Sequence, residues 1–267
     1  MNHGDIALST VQVACAAGLM LVNIGISWAL RLGLEKTFFW ASVRMVGQLT
    51  LLGLILSWIF ARQSLLEVLL LMFIMTFAAG STAVSRVKHP YRGLHGDGLM
   101  AIAVSTWLMT AFMIGVVKRP EPWYLPQLLI PSLGMILGNG ISGIALALDR
   151  FLEQVQQQRE SIEGRLLLGA TRWEAVQDLF RDCLRTGLMP TTNAMMAAGL
   201  VSLPGMMTGQ LLGGGSPQQA VNYQIAILFL ILTSTMLGTS TALWLAFRRV
   251  FTPEHRLNPN LWKPKKS

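Results

Sequence analysis

Seven runs of this chain carry no charged side chain and are long enough, as helices, to cross a bilayer. They are Ile6–Leu30, Met45–Ala61, Val68–Ser85, Leu99–Val117, Leu128–Leu148, Leu188–Leu212 and Ala220–Phe247. A hydrocarbon layer about 30 Å thick needs roughly 17–25 helical residues, and each run reaches that length. With 52% hydrophobic and only 13% charged residues, the chain is too apolar for an ordinary soluble domain. The expected fold is therefore an all-α membrane protein, a polytopic bundle of about seven transmembrane helices forming one permease-like domain over residues 1–267. Thr37–Arg44 is expected to extend the second run as an interfacial helix. Pro190, Pro204 and several glycines interrupt the sixth.

The charges between the runs set an expected orientation. With seven crossings, 18 Lys and Arg residues fall on one side and only Arg62, Lys118 and Arg119 on the other. Without the longest loop the ratio is still 12 to 3. Basic residues stay cytoplasmic, so the N-terminus is expected outside and the C-terminus inside, with a basic tail over 248–267. The net charge of +8 follows from this topology. No basic stripe interleaved with aromatics occurs, which argues against nucleic-acid binding. The segment before the first run has no Lys or Arg, unlike a cleavable signal. Cys15 and Cys183 are expected in different environments, which argues against a disulfide.

One long polar stretch stands apart, Asp149–Gly187, with 7 of the 13 acids and 6 of the 21 basic residues. It reads as a cytoplasmic helical hairpin. Gly169 and Ala170 supply a turn, and Thr171 followed by Glu174 is a capping box that starts the second helix. Trp173, Val176, Phe180 and Cys183 recur at helical spacing and predict its buried face. A solvated hairpin and a docking element that passes force from a soluble partner into the membrane both fit this pattern. The placement favours docking, because the second helix runs straight into the sixth run.

Inside the runs, polar groups are sparse. Arg44 lies near the cytoplasmic end of the second, where it can snorkel, and Gln48 follows one turn later. Asn139 and Asn193 are expected to join close-packed helices. No Asp, Glu or His lies deep in a run, so a proton-driven carrier lacks the groups it would use. The stretch Gly199–Pro217 invites an unwound path, because Pro204 breaks a helix and Gly205 and its neighbours bend freely. Irregular backbone at membrane depth is found where it lines a cavity or is covered by protein. Met206 and Met207, with Met195 and Met196, surround it; thioethers bind soft metals, although packing is their usual work. His89, His95 and Asp97 match no metal-site spacing, and no metal ligands are assigned. No phosphate-binding GxxxxGK[ST] loop occurs, so any ATP is hydrolysed elsewhere.

The segments SVRMVGQL, IPSLGMILGNG, EGRLLLGA and GLVSLPGMMTGQLLGG, in this order, resemble the FetB (YbbM) family of ABC transporter permeases over nearly the whole chain. The resemblance implies a bacterial inner-membrane subunit, paired as a homodimer and served by a cytoplasmic FetA-like ATPase that holds ATP and Mg²⁺. This chain itself would bind no cofactor. Iron export is the activity it implies, while similar plant permeases are tied to aluminium tolerance and nucleotide-sugar transport. The hairpin also resembles the EAA loop of importer permeases, with Glu163 and Gly169 in place of that pattern's Glu and Gly. Gly164 and Arg165 depart from its two alanines, and Pro190 falls later than its proline. ATPase coupling is thereby expected at Glu163, Gly169, Ala170, Thr171 and Arg172. The translocation path is expected near Arg44, Gln48, Asn139, Asn193, Pro204, Gly205, Met206 and Met207. An ABC permease for another substrate, an ATPase-independent carrier and a membrane sensor remain alternatives. An enzyme does not fit, because no acids, His or nucleophile–base pair converge in the runs.

Overall fold

The computed structural model describes residues 9–117, 121–252, 254 and 256–258. Lys118, Arg119, the start of the first apolar run and most of the basic tail lie outside them. The described residues are helical, with α1 (Thr10–Ala29), α2 (Glu35–Arg62), α3 (Leu65–Ser85), α4 (Leu94–Phe112), α5 (Pro126–Gln157), α6 (Arg159–Leu167), α7 (Arg172–Ala197), α8 (Gly205–Leu212) and α9 (Pro217–Val250). A single π-helical turn, Met113–Val117, prolongs α4. Six helices are long and apolar enough to cross a membrane: α1, α2, α3, α4 with its π turn, α5 and α9. The chain is a multi-pass, all-α membrane protein. It divides into two compact units, Met1–Ser64 and Leu65–Ser267.

The first unit is a helical hairpin. Ser9 and Gln12 form a reciprocal capping box that starts α1. The turn passes through Arg31 at φ 52° and Gly33 at φ 70°. It is tied by Ser27, whose hydroxyl donates to Glu35 Oε1 at 2.9 Å and accepts the Leu34 N–H at 3.2 Å. The expected interfacial stretch Thr37–Arg44 is simply the first part of one 28-residue α2.

The second unit is built around α5. Its buried residues Leu129, Leu133, Ile136, Gly140, Ile144, Leu148 and Phe151 recur every three or four positions, the spacing of one helix face. They pack against α3, α4, α7 and α9. At 32 and 34 residues, α5 and α9 run about 50 Å, well beyond a hydrocarbon layer of about 30 Å.

Contacts at the two ends show how often the chain crosses this unit. At one end the starts of α5 and α9 meet, with Ser132 Oγ and Tyr223 Oη 2.8 Å apart. At the other end Phe151, near the end of α5, stacks on Phe180 of α7. There too the Lys88 N–H, between α3 and α4, donates to Asp149 Oδ1 at 2.8 Å. The end of α9 lies beside the starts of α7 and α4 through Phe247–Trp173 and Arg249–Asp97. The end of α8 lines a groove with Gln219, Ala220 and Tyr223 of α9, back at the first end. The segment α7–α8 thus returns the chain across the unit, making five traverses with α3, α4, α5 and α9.

This traverse differs from one continuous helix. α7 carries on through Pro190 to Ala197, the chain unwinds over 198–204, and α8 resumes at Gly205. Gly199 takes φ +89°, a left-handed conformation suited to glycine. Pro204 has no N–H to give a preceding turn, and it biases Leu203 towards extended backbone. A short link replaces the helix, with the Gly199 N–H on Ser202 O at 2.9 Å and the Ser202 N–H on Ala197 O at 3.1 Å.

α5 and α7 approach backbone to backbone at two glycines. A Cβ at Gly187 would lie 2.7 Å from Gly143 O and 2.9 Å from Ala147 Cβ; one at Gly143 would lie 2.6 Å from Thr235 Cγ2 of α9. Three helices meet where only hydrogen fits, as is common in membrane bundles. Gly187→Ala should therefore lower the unfolding free energy of the purified protein in detergent by about 1–3 kcal/mol. Gly138→Ala, whose Cβ meets nothing within 4 Å, should leave it unchanged or raise it by up to about 1 kcal/mol. Equal stability of the two variants would show that the α5–α7 spacing relaxes freely.

The α7 cap yields a second expectation. The Thr171 N–H donates to Glu174 Oε2 at 2.8 Å, and the Glu174 N–H donates to Thr171 Oγ1 at 3.3 Å. The Thr171 N–H, and then its hydroxyl, hold the Glu174 carboxyl below its ordinary range. The cap's contribution is therefore present above that range and lost as pH falls through the lowered value. Thr171→Ala should cost about 1 kcal/mol locally. It should be read as faster amide exchange in the first turn of α7, with global unfolding unchanged.

Candidate functional site

The polar stretch forms the helical hairpin its pattern predicts. α5 leaves the bundle and ends at Gln157, α6 follows at once, and the turn to α7 is a helix stop centred on glycine. The Leu168, Gly169 and Ala170 N–H groups each donate at 3.1 Å to carbonyls of Gly164, Leu166 and Arg165. Gly169 itself sits at φ +94° with open space where a Cβ would go. Its constraint is conformational, because a left-handed C′ position favours glycine.

The hairpin is packed along one face and bare at its turn. On α6, Ile162 is buried. Arg165 reaches across to α7, donating from Nη1 to Ala175 O at 3.3 Å. On α7, Ala175, Val176, Leu179, Phe180 and Cys183 are buried. This is the face expected from the spacing, with Trp173 at its edge. Trp173 packs among aromatic rings, 5.3 Å from Phe180, 5.8 Å from Phe247 and 6.1 Å from Trp244. The Arg172 guanidinium lies 5.7 Å from the centre of the Phe247 ring. At the tip, in contrast, Leu167 and Leu168 are 88% and 92% exposed. Two adjacent leucines beside a rigid turn form an apolar knob on a polar element, the kind of surface that marks a contact.

The expected coupling residues surround this knob. Glu163 is paired within its own helix to Arg159 at 2.8 Å, Gly169 and Ala170 form the turn, and Thr171 and Arg172 start α7. Cys183 packs in the hairpin; burial pushes its thiol up to about 12, so it stays protonated and unreactive at neutral pH. Both cysteines are free.

The residues expected along a path lie on several elements. Arg44 and Gln48 belong to the first unit and line a shallow groove of about 450 Å³ with Trp40, Ala41, Met45 and Leu49. No hydrogen bond joins the two among the described residues. Asn139 does not link helices as expected, because its Nδ2 donates at 2.9 Å to Met135 O of its own helix. Asn193 is exposed on α7 and makes no such bond among the described residues. Pro204 caps α8, whose first turn holds Gly205, Met206 and Met207. Met206 and Met207 are half-buried and Met196 is exposed. Among the described residues no group of three or more His, Cys, Asp or Glu could hold a metal ion.

Sequence reading missed four features. One is the apolar knob, which the adjacency of Leu167 and Leu168 to Gly169 could have signalled. A second is the role of Trp244 and Phe247 as the seat of the hairpin. A third is the row of fully buried α9 hydroxyls, where Thr235 and Thr239 make no hydrogen bond among the described residues. The last is Asp97, which is buried in the first turn of α4 and paired with Tyr91 and Arg249. No local signal links positions 152 apart.

Comparison with known proteins agrees with this architecture. A family described as an uncharacterised protein family, UPF0014, matches residues 10–251. A UPF0014 membrane protein of Synechocystis is 36% identical, covering 96% of this chain and 99% of its own length. The probable iron export permease protein FetB of Escherichia coli is 32% identical, over 96% of this chain and 97% of its own. The UPF0014 membrane protein STAR2 of rice is 29% identical, over 95% and 88%. No solved structure matches. The chain belongs to the UPF0014 family of membrane proteins.

Proposed function

We propose that this chain is the membrane-spanning subunit of an ABC transporter that exports iron or a related metal from a bacterial cell. ATP and Mg²⁺ would be bound by a separate cytoplasmic ATPase, and two copies of the permease would form the working pair in the inner membrane. The observation that carries this reading is the hairpin. Its exposed Leu167–Leu168 knob adjoins the left-handed Gly169 turn, and from that turn α7 runs unbroken from Arg172 to Ala197. An ATPase groove that grips the knob would move a helix leading into the bundle. Phe247 and Trp244 would hold the start of α7, at Arg172 and Trp173, on α9, so displacement at the knob would reach two helices together.

Metal as cargo rests on the probable iron export permease among the relatives. The plant relatives carry other names, such as the aluminium-sensitive 3 protein of Arabidopsis thaliana, and a different substrate would leave the hairpin's role unchanged. Met206, Met207, Asn193 and the link around Pro204 are the proposed lining of the path. What supports this is the break in the traverse between Ala197 and Gly205, because transporter sites are commonly built where a membrane helix is interrupted.

The test is co-expression with the FetA-like ATPase, followed by purification and reconstitution in vesicles. Leu167→Asp combined with Leu168→Asp should reduce the recovered ATPase at least about tenfold, equivalent to about 1.4 kcal/mol of docking energy, while the permease still folds. Recovery of full ATPase with this double variant would remove the knob from the interface. Gly169→Val forces a β-branched residue into a left-handed turn at about 1–3 kcal/mol. It should leave ATP hydrolysis in place but lower metal transport several-fold. A chain that purifies without any ATPase and transports under an ion gradient would replace this reading with a secondary carrier.

A further inference from the structure

The last turns of α9 carry two attachments that belong to different parts of the unit. Phe247 meets the hairpin, through Trp173 at 5.8 Å and the Arg172 guanidinium at 5.7 Å. Two residues on, Arg249 reaches α4, with Nε 3.3 Å from Asp97 Oδ2 and Nη2 3.4 Å from Asp97 Oδ1. The guanidinium lies beside Gly93 at the start of α4, where a Cβ would be 3.6 Å from Nη2. Just beyond, the chain folds back on this end, as the Asn258 N–H donates to Val250 O at 2.8 Å.

The two members of the Asp97–Arg249 pair are held very differently. The Asp97 side chain is 12% exposed and Arg249 is 55% exposed. A buried carboxylate needs a compensating partner, whereas a half-exposed guanidinium is hydrated whether or not it is paired. Asp97 has a second partner of its own. Tyr91 is buried and donates its hydroxyl to Asp97 Oδ2 at 2.8 Å. Tyr91 and Asp97 lie six residues apart at the same helix start, so they move together, while Arg249 moves with α9. If α9 shifts, the carboxylate keeps the tyrosine and the arginine turns into water. Both Arg249 bonds are also longer than the 2.7–2.9 Å of strong charge-assisted bonds.

We propose that Asp97–Arg249 is a latch, closed in this structure, that opens and re-forms in each transport cycle and passes displacement of the hairpin through α9 to α4. Tyr91 is the positioning residue that holds the carboxylate while the latch is open. The proposal rests on the reading of the hairpin as the ATPase contact.

Locking the latch tests it. Asp97→Cys and Arg249→Cys are combined in a chain with Cys15→Ala and Cys183→Ala, co-purified with its ATPase, and joined by a short linker that reductant cleaves. The linked protein should keep its ATPase and still hydrolyse ATP, but transport of ferrous ion into vesicles should fall at least tenfold and return on cleavage. Transport by the linked protein at the unlinked rate would make the contact a static brace and overturn the latch, leaving the hairpin reading intact. Absence of bound ATPase from the parent chain with Asp97 and Arg249 in place would remove the hairpin reading, and the latch with it. A second variant separates latching from folding. Arg249→Gln leaves Asp97 its tyrosine, and should raise ATP hydrolysed per ion moved at least twofold; an unchanged ratio would also overturn the proposal.

Discussion

The meeting of α5, α7 and α9 at Gly143 and Gly187 is the contact on which the second unit depends. Two helix backbones approach so closely there that the carbonyl of each glycine occupies the space of the other's missing Cβ. Lipid tails offer no hydrophobic drive for helix association, so close van der Waals contact has to supply much of it. The position along the chain also matters. Gly187 lies on α7 just after the hairpin's charged residues end, and from this contact the helix extends outward to Thr171 and inward to Ala197. A bulky residue here would part the helices and loosen the base on which the hairpin stands.

The aromatic seat is the second element of this design. Trp173, Phe180, Trp244 and Phe247 meet edge to face or tilted, arrangements that add to the burial energy of the rings. They join the start of α7 to the last turns of α9. The hairpin is consequently a braced projection. Its apolar knob is carried on a packed support, which favours docking over the alternative of a solvated loop.

How much of this was legible in the sequence depends on the range of the signal. The crossings were readable because uncharged runs of bilayer length have few other outcomes. The hairpin was readable because Thr171 and Glu174 interact within one turn, and Val176, Phe180 and Cys183 follow one helix face. The sixth run was marked as irregular by Pro204 and its glycines, but where the helix would stop and resume depended on backbone angles at Gly199 and Pro204. Asn139 shows the limit of reasoning by residue type. A carboxamide in a membrane helix can bond to a neighbour or to its own preceding turn, and here it does the second. Nothing near Asp97 in the sequence marks it as paired, because its partner, Arg249, lies at the far end of the chain. Only the fold brings such residues together, and the same holds for Gly143 with Gly187.

The position of the unwound link bears on how a push at the hairpin would be used. A continuous helix through the whole traverse would carry displacement from Thr171 to the far end and shift α8 and the start of α9 alike. The break over 198–204 interrupts the helical hydrogen-bond ladder: residues 198–202 bond within the link and to the last turn of α7, while Pro204 O accepts from Thr208 in the first turn of α8. Gly199 can change its backbone angles at low cost, and Pro190, which deprives α7 of one internal hydrogen bond, gives a second place to bend. On the proposed reading, movement of α7 would therefore be spent around Asn193, Met206 and Met207 rather than at the far end. The Ser132–Tyr223 contact, which holds the starts of α5 and α9 together, could persist while the path beside the link changes shape.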